Sequence, residues 1–82
     1  MDIPTQIHQT YKTADIILAA CLIVKGHDLA TIEKDSSTKG TFIFKLVPEE
    51  FIFQYDLGKM LVEPIAFNNA IKRLTTSVRR MT

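Results

Sequence analysis

At 82 residues the chain has material for one domain, and 46% apolar against 23% charged residues is a globular balance that excludes intrinsic disorder. A single cysteine, Cys21, excludes an internal disulfide and a cysteine-rich zinc site. The net charge of +1 hides an asymmetry: residues 1–63 hold six Lys and nine Asp or Glu, whereas residues 64–82 hold Lys72, Arg73, Arg79 and Arg80 and no acid.

Residues 1–10 are polar and mixed, and are expected to form a flexible N-terminal arm ahead of a single domain over 11–82. The run 16–24, Ile-Ile-Leu-Ala-Ala-Cys-Leu-Ile-Val, predicts a helix that is apolar on every side. Thr13 is its expected N-cap, Asp15 suits the dipole of the first turn, and Lys25-Gly26 close the C-terminal end. The run is too short to cross a bilayer, and a polar N-terminus with Asp2 argues against a signal peptide, so a cytoplasmic protein without membrane contact is expected.

Residues 29–34 and 41–46 predict two strands joined by a turn over 35–40, which together make an antiparallel β-hairpin. Strict alternation puts Phe42, Phe44 and Leu46 on one face, and Ala30 with Ile32 on one face opposite Leu29, Thr31 and Glu33. Pro48-Glu49-Glu50 reads as a helix start with Pro in the first turn, and Phe51, Ile52 and Tyr55 form a stripe ending at Gly58. The aromatic and β-branched run 51–55 also fits a strand, and helix is the preferred reading. Glu63-Pro64 opens a last helix in which Phe67, Ala70, Ile71, Leu74, Val78 and Met81 form one apolar stripe. The expected architecture is α+β in the order α-β-β-α-α, one hairpin packed against helices.

The chemistry is sparse. Cys21, set in the most apolar helix, reads as core filling. His27 beside Asp28 has no nucleophile to serve and reads as a helix-end residue, while adjacent Glu49 and Glu50 diverge on a helix and suit its dipole. Ser36, Ser37 and Thr38 are ordinary turn residues. Phe42 and Phe44 near Lys34, Lys39 and Lys45 mix rings and cations as single-strand binders do, yet two Phe on one strand face are first of all core. Without a nucleotide-binding loop or a metal motif, no catalytic residue, cofactor, metal or small-molecule substrate is expected.

Two surfaces remain. The outer face of the last helix, Asn69, Lys72, Arg73, Thr76, Arg79 and Arg80, is the candidate for nucleic acid. The first helix has apolar surface to spare, and Ile17, Leu18, Cys21 and Leu22 are its candidate protein interface, for a homodimer or a host protein.

Tyr11-Lys12-Thr13-Ala14-Asp15 before the apolar helix, Lys25-Gly26-His27, Ile32-Glu33-Lys34-Asp35, Phe42-Ile43-Phe44 and the spaced Tyr55, Gly58, Val62-Glu63-Pro64, Phe67, Ala70 and Lys72 form one pattern over residues 11–74. In this the chain resembles a family of small uncharacterised single-domain proteins of phages, mobile elements and microbial genomes. The resemblance implies the same fold and a viral or mobile-element origin, and transfers no catalytic residue. The function expected from all of this is binding and not catalysis.

Overall fold

The computed structural model describes residues 6–35 and 39–81. Six elements follow one another: β1 (Ile7–Thr13), α1 (Ile16–Val24), β2 (Leu29–Lys34), β3 (Gly40–Pro48), α2 (Glu49–Asp56) and α3 (Pro64–Arg80). The fold is α+β, and its order corrects the expected one by a strand at the front. Residues 7–10, expected in a loose arm, are the first half of β1, while residues 1–5 lie outside the described part. The turn residues Ser36, Ser37 and Thr38 also lie outside it.

The sheet order is β1-β3-β2, with β3 antiparallel to both neighbours. β1 and β2 are therefore parallel, and β1-α1-β2 is a crossover unit held open by the central strand. β2 and β3 form the expected hairpin, with Ile32 opposite Phe42 and Lys34 opposite Gly40. The pairing of β1 sets Tyr11 opposite Phe44 and Thr13 opposite Phe42.

Strict alternation fails at two places. A register shift between Leu29 and Thr31 leaves Ala30 as an extra residue on β2. Leu29 and Ile32, expected on opposite faces, consequently both pack against the core while Ala30 is exposed. In β3, Leu46 takes a left-handed conformation (φ 57°), which turns its side chain out to solvent and brings Val47 into the core. Leu46 was expected beside Phe42 and Phe44; only the two Phe are buried, so core filling is their role and neither offers a ring for stacking.

α1 is covered on more than one face, as its all-round apolarity requires. Leu18, Ala19, Ala20 and Leu22 share one buried cluster with Phe42, Phe44 and Val47 of β3, Ile52 of α2, and Ala70, Leu74 and Val78 of α3. Small side chains on α1 and α3 let these helices pack closely above the sheet. On the opposite sheet face Ile43 is buried between the edge strands, and Lys12 Nζ reaches Glu33 Oε1 at 3.7 Å across β3.

The caps hold the connections. Asp15, and not Thr13, is the N-cap of α1: its Oδ1 accepts from the N–H of Ile17 at 2.9 Å and of Leu18 at 3.3 Å. Thr13 acts one step earlier, its Oγ1 accepting from the Asp15 N–H at 3.0 Å. At the other end His27 N–H reaches Leu22 O and Gly26 N–H reaches Ile23 O, a Schellman closure in which Gly26 supplies φ +94°. α2 is a helix, as preferred, with Pro48 at its N-cap and not inside its first turn. It closes with the same bond pattern, Lys59 N–H to Gln54 O and Gly58 N–H to Tyr55 O. Glu63 caps α3 through Oε2 and the Ala66 N–H, with Pro64 at N1.

Candidate nucleic-acid interface

α3 turns Ala70, Leu74 and Val78 into the core, and its other side is open. Asn69, Lys72, Arg73, Thr76, Arg79 and Arg80 are all exposed. The spacing explains this, because positions 69, 73, 76 and 80 recur every three or four residues opposite the buried 70, 74 and 78. Among the described residues, Lys72, Arg73, Arg79 and Arg80 make no ion pair, unlike His8 with Glu49 and Lys12 with Glu33. Arg79 and Arg80 also stand in the last turn, where cations suit the negative end of the helix dipole.

The expected cations border different hollows along α3. Lys72, Arg73, Thr76 and Arg80 share a shallow groove of about 370 Å³ with Ser77. Arg79 faces elsewhere, into a cleft of about 420 Å³ between α3 and the start of β3, with Asp35, Lys39, Thr75 and an apolar floor of Ile16, Phe42 and Val78. Asn69 borders neither. A third cleft of about 420 Å³ adjoins the basic groove through Arg73 and Ser77, and is lined by Gly26, His27, Asp28 and Leu29 from the α1–β2 connection. The Asp28 carboxylate there makes the Lys72–Arg80 side the more positive approach. His27 stands edge-on to Phe51, ring centres 5.2 Å apart, so its ring is engaged with the protein. The 26–28 loop was missed because only the tertiary fold brings it beside α3, whereas Ser77, four residues after Arg73 on the same helix, was within reach of the helical repeat.

The expected docking surface on α1 needs correction. Leu18, Cys21 and Leu22 are buried by the chain itself, and only Ile17 is exposed. The Cys21 thiol is pushed up from its ordinary pKa, first by burial and then by the Asp15 charge, against a smaller opposing effect of Lys25. Around Cys21 and Ile17 lie Tyr55, Gly58, Met60, Val62 and Phe67, so α2 and the α2–α3 connection cover this side of α1. Among the described residues no cluster of His, Cys, Asp or Glu is arranged to hold a metal ion, and no helix is long and apolar enough to cross a membrane.

No protein-family model, curated protein or solved structure matches the chain.

Proposed function

We propose that this chain is a nucleic-acid-associated accessory protein, cytoplasmic and of phage or mobile-element type, that binds through α3 without catalysis. The observation that carries the reading is the set of exposed, unpaired cations Lys72, Arg73 and Arg80 gathered in one groove with Thr76 and Ser77. Residues 69–80 span about 16 Å along the helix axis, the rise of about five nucleotides of one strand. Cations with small hydroxyls suit phosphate oxygens, which position a protein without reading sequence. A sequence-tolerant association that weakens with salt is the expected behaviour.

Fluorescence anisotropy with labelled single- and double-stranded DNA and RNA across a salt series tests this. Contacts to about three phosphates give a log–log salt slope near −3 on duplex DNA. Because Arg79 faces a different cleft, Arg73→Glu with Arg80→Glu is expected to abolish binding while Arg79→Glu weakens it less. Absence of saturable binding at low salt, or binding indifferent to salt, would remove the proposal.

A further inference from the structure

We infer that two copies of this chain associate through the α2–α3 connection, about a two-fold axis close to Leu61. The connection, residues 59–63, alternates like an extended segment: Met60 and Val62 are partly buried, whereas Lys59, Leu61 and Glu63 are exposed. Met60 and Val62 line the shallow cleft against Ile17, Cys21 and Phe67, which fixes the segment to α1 and α3. Leu61 is left outward and 82% exposed, the most exposed large apolar side chain among the described residues. Leu57 and Ile65, four residues before and after it, are 49% and 70% exposed, and Ile17 beside the same cleft is 45% exposed.

An apolar surface of this kind does not by itself name its occupant; the flanking charges do. Lys59 and Glu63 lie two residues on either side of Leu61 and share its outward side. A two-fold axis at Leu61 that runs the two segments antiparallel sets Lys59 against the other copy's Glu63, and the reverse, with Leu61 against Leu61. The strip is thus self-complementary, which an isologous contact demands and an unrelated partner does not. Glu63 Oε2 is engaged with the Ala66 N–H, and Oε1 has no hydrogen-bond partner among the described residues. The exposed fractions of the four apolar residues amount to roughly two and a half whole side chains per copy, enough for the centre of a small interface and not for an obligate one. The expected dimer is reversible, with a dissociation constant roughly in the micromolar range. It draws on none of the residues of the nucleic-acid reading, although Ile65 stands on the same face of α3 as Asn69 and Lys72, one and two turns before them.

Sedimentation velocity on the full chain from about 1 to 200 µM tests the inference. The wild type is expected to shift from monomer to dimer over that range. Leu61→Glu should leave a monomer throughout with an unchanged circular dichroism spectrum, because the side chain it replaces makes little contact with its own fold. Lys59→Glu should weaken the dimer at least tenfold at low ionic strength, with the gap narrowing in high salt. A wild type that stays monomeric at the top concentration, or a dimer that survives both substitutions, would overturn the proposal.

Discussion

Asp15 joins two parts of the fold with one carboxylate. Oδ1 caps α1 through the N–H groups of Ile17 and Leu18, and Oδ2 accepts from the Tyr55 hydroxyl of α2 at 2.7 Å. Asp15→Ala removes both links. The lost cap costs about 1 kcal/mol. The Tyr55 hydroxyl loses a charged acceptor, but at an exposed site water replaces it, so that loss is about 0.5–1 kcal/mol and not the value of a buried bond. The sum, about 1.5–2 kcal/mol, lowers the melting temperature of a domain this size by roughly 6–16 °C. Tyr55→Phe removes the second link alone, and a double-mutant cycle isolates the pair at about 0.5–1 kcal/mol. Urea denaturation followed by circular dichroism supplies all four corners of the cycle. Strict additivity of the two substitutions would refute a coupling between α1 and α2 at this point. A pH series adds a second check. Partial burial, then the hydrogen bond to Asp15, raises the Tyr55 pKa above its ordinary value of 10.0. A raised folded-state pKa means that the stabilisation is fully present below about pH 10 and lost as pH climbs through the folded value. Wild-type stability should therefore fall faster above pH 10 than that of Tyr55→Phe, which lacks the group.

Three further outcomes follow from single residues. A Cβ on Gly40 would meet Ile32 Cγ2 at 3.0 Å and Val78 Cγ2 at 3.3 Å, so Gly40→Ala is expected to cost about 1–3 kcal/mol of stability in chemical denaturation; a neutral result would show that the β3–α3 contact yields freely. Leu46 is exposed at φ 57°, so Leu46→Asn should gain about 0.5–1 kcal/mol and raise the melting temperature by several degrees, and a decrease would contradict backbone strain there. Cys21, buried with a raised pKa, should react with a thiol reagent only as fast as the chain unfolds, and rapid labelling of the native protein would contradict its burial.

Local sequence determined those features whose causes are local. The α1 run, its Gly26 closure, the strands at 29–34 and 41–46, and the amphipathic α3 opened by Pro64 follow from side-chain period, caps and backbone conformation within a few residues. The outward basic face is legible for the same reason: once Ala70, Leu74 and Val78 point inward, the helical repeat turns Lys72, Arg73 and Arg80 outward. Tertiary structure decided the rest. β1 carries only Ile7 and Tyr11 as large apolar or aromatic residues, and its order comes from backbone pairing with β3, 29 to 41 positions away. Whether Leu18 and Leu22 lie at a surface depended on how much of α1 the sheet, α3 and the α2–α3 connection cover, a quantity no periodicity encodes. The separation of Arg79 from Arg73 and Arg80 likewise arises from which neighbouring element borders each side of α3. Pattern along a chain fixes the direction in which a side chain points within its own element, and only packing decides what it meets there.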